Sequence, residues 1–157
     1  MKSKQLRKWA LGAEIVSAIA VIITIGFLAV QMKDNTNALR AQMYQELMRD
    51  LNDWRVMVND PVQSKLLEKH RAVGWDGLSL AEKQQSGLPT LTLFGIYESA
   101  YFANQRGVLG AGEWARFPSA ICRQFSMKAD IWNAEGLTPM REWFTPEFVG
   151  YIDRTCN

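Results

Sequence analysis

Residues 15–32 read IVSAIAVIITIGFLAVQM, an uncharged run of 18 residues in which most side chains are apolar. As an α-helix this run spans roughly 27 Å, close to the thickness of the hydrocarbon layer of a bilayer. Residues 9–14 precede it and add one charge, Glu14, together with Trp9, a residue type that is enriched at membrane interfaces. The sequence therefore predicts a transmembrane helix over residues 9–32.

Two other interpretations of this run stay open. A cleaved signal peptide would explain the basic residues 1–8, but the run is long for a signal peptide and no small-x-small cleavage site follows it. The run could also be the buried core helix of a soluble protein. We favour a membrane anchor, because the length of the run matches a bilayer.

The distribution of basic residues predicts the orientation of this anchor. Residues 1–8 form a basic flank with four Lys or Arg, whereas the 20 residues after the run contain three. The positive-inside rule places the more basic flank in the cytoplasm. We therefore expect residues 33–157 to form a helical soluble domain outside the cytoplasm, in the periplasm or at the cell exterior.

Glu14 and a stripe of small residues are the candidate contacts within the membrane. A carboxylate in hydrocarbon is costly, so Glu14 either extends to the lipid headgroups or contacts a partner helix. Small side chains at spacings of three and four share one helix face and permit close helix packing. They are Ala10, Ala13, Ser17, Ala20 and Thr24. We predict that Glu14 and this stripe face protein, either another membrane protein or a second copy of the chain.

The charge of the remaining sequence argues against nucleic-acid binding. The whole chain carries +2, but 14 of its 18 basic residues and 15 of its 16 acidic residues lie after the apolar run, which leaves −1 there. Nucleic-acid binding needs a basic surface that this composition lacks. With 48% hydrophobic and 22% charged residues, the chain is also too apolar to be disordered.

The rest of the sequence is patterned as α-helices. Apolar residues at spacings of three and four predict an amphipathic helix after residues 34–37. They are Leu39, Met43, Leu47, Leu51, Trp54 and Val58. Because no Gly or Pro lies between this helix and the membrane helix, we expect one continuous helix or a bend at residues 34–37. Residues 59–61, Asn-Asp-Pro, predict its end and the start of a short second helix.

A capping box, Ser79-x-x-Glu82, predicts the start of a third helix. We expect Gly87 and Pro89 to interrupt this helix, because proline removes a backbone hydrogen bond from a helix interior. Residues 88–103 are apolar on almost every side, and they predict a helix buried at the centre of a bundle.

Further helices are predicted toward the C-terminus. One begins near Glu113 and is expected to be kinked at Pro118, a short one contains Trp132, and the last begins at Thr145-Pro146. No segment alternates apolar and polar residues with a period of two, so no strand is predicted. The predicted fold is therefore all-α, with an N-terminal transmembrane helix that continues into a small helical bundle.

Six segments, spread over most of the chain, carry a resemblance to a known family. They are residues 14–21 (EIVSAIAV), 31–45 (QMKDNTNALRAQMYQ), 97–102 (YESAYF), 107–109 (GxL), 143–148 (WFTPEF) and 151–153 (YID). Together they resemble a widespread family of uncharacterised bacterial membrane proteins that have one N-terminal span and a domain of unknown function. The resemblance implies an all-α protein anchored in the bacterial inner membrane, and it implies no established activity or catalytic residue. Pro89 and the basic residues 1–8 depart from the pattern of that family.

Few residues of the chain suggest catalysis or metal binding. His70 is the one histidine, for which a surface or capping role is expected, and one His with two distant Cys does not form a standard zinc site. Neither a Gly-rich phosphate loop after a strand nor a nucleophile elbow is found. We therefore predict no cofactor, no metal and no enzymatic activity.

Glu98 is the one charge within residues 88–103. We expect it to be buried and to pair with a polar group of the bundle, for which Arg49, Arg116 and Arg123 are candidates. It is also the residue that a membrane-tethered enzyme would use as a base, an alternative that requires a polar cavity at Glu98.

Cys122 and Cys156 are candidates for a disulfide, because both follow the anchor and an exported domain lies in an oxidising compartment. The alternative is two unpaired cysteines in a cytoplasmic domain, one buried and one in a loose tail.

These observations favour a non-enzymatic function. The leading hypothesis is a membrane-anchored accessory or interaction subunit that binds another protein of a membrane complex. The alternatives are a homo-oligomeric single-span assembly, such as a ring or pore, and, less favoured, a membrane-tethered enzyme that uses Glu98.

Overall fold

The computed structural model describes the backbone of residues 2–133 and 139–156, and the side chains of Trp9, Glu14 and residues 16–133 and 139–156. Every element within these residues is helical, so the predicted all-α class is confirmed. The elements are α1 Lys2–Val58, α2 Pro61–Val73, α3 Leu80–Gln105, α4 Ala111–Trp114, α5 Phe117–Met127, α6 Ala129–Trp132, a 3-10 helix at Met140–Trp143, and α7 Pro146–Thr155.

Helix α1 is uninterrupted over 57 residues. It continues through residues 34–37, where the Thr36 hydroxyl donates a hydrogen bond to the Met32 carbonyl oxygen at 2.8 Å. This bond satisfies the hydroxyl within the helix, so the polar patch does not end the helix. The chain divides into two compact units, residues 1–39 and residues 40–157, and we call the second unit the helical domain.

The part of α1 inside the helical domain buries one face. Leu47 is 2% exposed, and Met43, Leu51 and Trp54 are partly buried against the core. Leu39 belongs to the same predicted apolar stripe but is 61% exposed. Core packing of this stripe therefore begins after Leu39.

Local side-chain hydrogen bonds set the start of α2 and α3. The Asp60 carboxylate accepts a hydrogen bond from the Val62 backbone N–H at 2.9 Å, which caps α2. The predicted capping box of Ser79 and Glu82 is present at the start of α3. The Glu82 carboxylate also accepts from the Lys69 ammonium of α2 at 2.6 Å, and this hydrogen bond contributes most to lowering the pKa of Glu82 to about 2.

The predicted interruption at Gly87 and Pro89 is wrong, because α3 is continuous through both residues. Pro89 is buried in the helical domain, and its carbonyl oxygen accepts a hydrogen bond from the Trp54 indole N–H at 2.7 Å. Packing and this bond from α1 offset the backbone hydrogen bond that proline cannot make.

The predicted single helix around Pro118 is also wrong, because α4 and α5 are separate helices. Pro118 lies in the first turn of α5, where a backbone N–H has no partner within the helix, so proline begins this helix rather than kinking it. The helices predicted at Trp132 and after Thr145 are present as α6 and α7. The 3-10 helix before Phe144 was not predicted.

The core is built around α3 from aromatic side chains. Phe94 is fully buried, and its ring centroid lies 4.9 Å from that of Trp132 and 6.2 Å from that of Phe144. Trp132 and Phe144 stack with an interplanar angle of 12°. Phe148 of α7 is also fully buried and completes the cluster against Phe144.

Replacing Leu47 by alanine should destabilise the helical domain by about 2–5 kcal/mol, because a buried leucine is lost and a cavity remains. The matched control is Leu39→Ala on the same helix, which should change stability by no more than about 0.5 kcal/mol because its side chain is exposed. Urea unfolding of the full chain in detergent, followed by tryptophan fluorescence, measures both. Equal effects of the two variants would contradict the start of core packing after Leu39.

Candidate functional site

The N-terminal part of α1 has an unusually apolar exposed surface. Of the helices described, α1 is the one that is apolar and long enough to cross a membrane, and none of its apolar window is buried. The large exposed side chains of this window include Val16, Ile19, Val21, Ile22, Ile23, Ile25, Phe27, Leu28, Val30 and Met32. Such a continuous apolar surface is unfavourable in water.

The stripe of small residues is exposed as far as it is described. Ser17, Ala20, Thr24 and also Glu14 have exposed side chains, whereas the Ala10 and Ala13 side chains lie outside the described residues. The Thr24 hydroxyl donates to the Ala20 carbonyl oxygen at 2.8 Å, so this hydroxyl does not need a partner helix. That the stripe faces protein stays a prediction.

The helical domain contains a cleft of about 550 Å³. It lies among the last part of α1, α2, α3, the end of α5 and the start of α6. Much of its wall is apolar and consists of Trp54, Val58, Leu67, Pro89, Leu93 and Met127. A volume of this size is typical of pockets that hold small molecules, which occupy roughly 300–1,000 Å³.

His70 and Asp130 meet at this cleft. The His70 Nε2 atom lies 2.8 Å from the Asp130 Oδ2 atom, and the imidazole packs edge-on against Trp75 with ring centroids 5.7 Å apart. His70 is 7% exposed, so the expected surface role is wrong. The ring belongs to a buried residue in the last turn of α2, and Asp130 in the first turn of α6 supplies the hydrogen-bond partner of its Nε2 atom.

Two basic residues also line the cleft, Lys128 and Arg71. Burial lowers the pKa of the Lys128 amine, the Asp130 carboxylate opposes this effect, and the positive charge of Arg71 adds to it. Lys128 forms no ion pair within 4.0 Å in the described part of the chain, while Asp130 is bonded to His70. The cleft therefore holds a partly buried ammonium, and the one carboxylate among its lining residues is already bonded to His70.

Ser86 and Thr90 add two hydroxyl groups to the same wall. They lie one turn apart on α3, and they are 8% and 4% exposed. Neither side chain has a hydrogen-bond partner among the described residues. The hydroxyl oxygens themselves are not fully enclosed, so both can donate a hydrogen bond to a molecule in the cleft.

Glu98 joins α3 to the start of α7. Its Oε1 atom accepts hydrogen bonds from the Thr145 backbone N–H and from the Thr145 hydroxyl, both at 2.8 Å. The predicted polar contact is therefore present, but Glu98 is half-buried rather than buried. Within the described residues none of the three candidate arginines pairs with it. Its carboxylate instead accepts from the Thr145 N–H, a group at the start of α7 that has no partner within the helix.

Glu98 does not line the cleft. Arg49 lies 3.7 Å from Glu46, and Arg116 donates to the Tyr44 hydroxyl. Both arginines thus form contacts elsewhere.

Cys122 and Cys156 form a disulfide that links α5 to the residue after α7. Their Cα atoms are 4.8 Å apart and 34 positions apart in sequence. Closing a loop of this length stabilises the folded chain by about 3–4 kcal/mol in the chain-entropy description. Of the two alternatives that the sequence left open, the structure contains the bonded one.

No group of three or more His, Cys, Asp or Glu residues suited to a metal ion is found among the residues whose placement is described. Compared with known protein families, with curated proteins and with solved structures, the chain has no match. The resemblance to the single-span bacterial family therefore stays a prediction.

The sequence did not reveal the cleft. His70 and Asp130 are 60 residues apart, so no spacing along the chain connects them. One local signal was available, since Ser86 and Thr90 stand four residues apart and therefore on one face of α3.

Replacing Glu98 by alanine should destabilise the helical domain by about 1–3 kcal/mol, because the Thr145 N–H loses its acceptor. Glu98→Gln keeps an amide oxygen in place and should retain most of that stability. The exposed neighbour Ser99 provides the matched control Ser99→Ala. Urea unfolding of the three variants measures the difference, and an alanine variant as stable as the wild type would contradict this role.

Proposed function

We propose that this protein is a single-span membrane protein whose helical domain lies outside the cytoplasm and binds another protein of a membrane complex. In this role it is an accessory or interaction subunit of the bacterial inner membrane. The observation that carries the proposal is the unburied apolar surface of residues 16–32. A bilayer covers such a surface along its whole length and around its whole circumference.

Two independent observations support the orientation. The basic flank at residues 1–8 favours a cytoplasmic N-terminus by the positive-inside rule. The bond between Cys122 and Cys156 is of a kind that persists outside the cytoplasm, because cytoplasmic reductants keep most thiols reduced. The two observations concern opposite ends of the chain and favour the same orientation.

The contact made by Glu98 and the near-neutral charge of the helical domain favour an interaction role over catalysis. Glu98, the residue considered for catalysis, is occupied by the start of α7. The near-neutral composition after the apolar run is compatible with protein contacts and does not favour nucleic acid. Trp143 in the helical domain is 65% exposed, and tryptophan is enriched at protein interfaces.

The topology has a direct test. Fusing alkaline phosphatase or green fluorescent protein after Asn157 should give phosphatase activity and no fluorescence, since the phosphatase folds in an oxidising compartment. The chain should stay in the membrane pellet after alkaline carbonate extraction, and mass spectrometry should find residues 1–32 retained. A fluorescent fusion would reverse the orientation, and loss of residues 1–32 would indicate a cleaved signal peptide. Changing the four basic residues of the flank to glutamate is the control, and it should reduce the phosphatase signal.

The partner is tested by photo-crosslinking in native membranes. A benzoylphenylalanine at Ser17 lies on the small-residue stripe, whereas one at Ile22 lies on the opposite face of α1. We expect crosslinks to another protein from position 17 and mainly lipid adducts from position 22. A ladder of self-adducts would favour the homo-oligomeric assembly instead, and equal lipid labelling at both positions would contradict a protein contact at the stripe.

A further inference from the structure

The cleft in the helical domain combines three features that the proposed membrane role does not use. It has an apolar wall, a partly buried ammonium without an ion pair in the described part of the chain, and two hydroxyl groups on the wall that have no hydrogen-bond partner there. The exposed apolar wall and the partly desolvated ammonium are both unfavourable when only water fills the cleft. Together they describe complementary surroundings for one kind of molecule.

We propose that this cleft binds a small amphipathic carboxylate, that is, an organic anion with one carboxylate group and an apolar body. This site is separate from the membrane anchor and from the contact with a partner protein. Its existence therefore does not depend on the orientation of the chain.

The charge of the cleft selects an anion. Lys128 and Arg71 are the cations of its wall, and Asp130 is the carboxylate, which is bonded to His70. The formal charge of the wall is therefore +1 with a neutral imidazole and +2 with a protonated one. One carboxylate neutralises the excess in the first case, and in both cases it can form the direct ion pair that Lys128 does not have in the described part of the chain.

The hydroxyls of the wall can bind the polar end of the molecule. Ser86 and Thr90 can each donate one hydrogen bond, and they stand one turn apart on the α3 side of the wall. A carboxylate has two oxygens that accept such bonds in addition to a contact with an ammonium. An amine or a cation would meet Lys128 and Arg71 unfavourably.

The apolar side chains account for the rest of the molecule. Trp54 and Leu67 come from α1 and α2, and Leu93 comes from α3, so three helices supply the apolar wall. A free inorganic anion would leave this wall exposed to water, whereas a ring or short aliphatic body covers it. The volume of about 550 Å³ leaves room for such a body together with its carboxylate.

The test uses the full chain in lipid nanodiscs and 4-fluorophenylacetate as the probe, observed by ¹⁹F NMR line broadening. Empty nanodiscs give the part of the signal that arises from lipid. The neutral and cationic counterparts with the same ring are 2-(4-fluorophenyl)ethanol and 4-fluorophenethylamine. We expect the carboxylate to bind about tenfold or more tightly than the alcohol, and we expect the amine not to bind.

The residues are tested by charge removal at constant size. Lys128→Gln should weaken binding of 4-fluorophenylacetate about ten- to a hundredfold, as expected for the loss of a charge-assisted hydrogen bond. Lys65→Gln is the matched control, because Lys65 is exposed on α2 and does not line the cleft, and it should leave affinity within about twofold. If circular dichroism shows that Lys128→Gln does not fold, Arg71→Gln replaces it, because Arg71 is the exposed second cation of the cleft. This variant should also weaken binding of 4-fluorophenylacetate.

The hydroxyls have their own variants, Ser86→Ala and Thr90→Val, which keep the shape of the wall and remove the donors. Each should weaken carboxylate binding and leave alcohol binding less affected. Equal affinity for the acid and the alcohol, unchanged binding in Lys128→Gln, or no broadening beyond that of empty nanodiscs would overturn the proposal. Complete displacement of the probe by millimolar inorganic phosphate would reduce the site to a simple anion site and would also overturn it. None of these results depends on the reporter fusions that test topology.

Discussion

The apolar surface of residues 16–32 is the constraint on which the rest of the structure depends. Its side chains are exposed along the whole run, and hiding them within the chain would require a second apolar layer that the described helices do not provide. The helical domain therefore has to form its own core from residues 40–157. It does so with aromatic rings, because Phe94, Trp132 and Phe148 each fill a large volume with few side chains.

Small domains with short helices need extra links between elements, and this one has several of different kinds. The Trp54 indole bonds to the Pro89 carbonyl, Glu98 holds the start of α7, and the disulfide holds its end. Helices α4 and α6 have four residues each and would not be stable alone. The links and the aromatic core stabilise them by tertiary contacts, so unfolding of the domain should be cooperative.

The parts of the fold that depend on neighbouring residues could be predicted from the sequence. The capping box at Ser79 and the proline after Thr145 act within one helical turn, so their pattern is visible in the chain itself. The interruption expected at Pro89 was wrong because its outcome depends on Trp54, which is 35 residues away. The partner of Glu98 was missed for the same reason, since Thr145 is 47 residues away and is brought close only by the packing of α7.

The same packing of helices positions the residues of the cleft. Because α3 is continuous, Ser86 and Thr90 stay on one face beside Pro89, and a break at Pro89 would have turned them apart. Helix α6 begins at Ala129, directly after α5, so Lys128 and Asp130 both line the cleft. From there the Asp130 carboxylate bonds to His70 in the last turn of α2. The polar groups of the cleft are therefore positioned by elements that the core already holds. Polar groups that are held by packed helices lose little conformational freedom when a molecule binds, and such preorganisation lowers the cost of binding a small ligand.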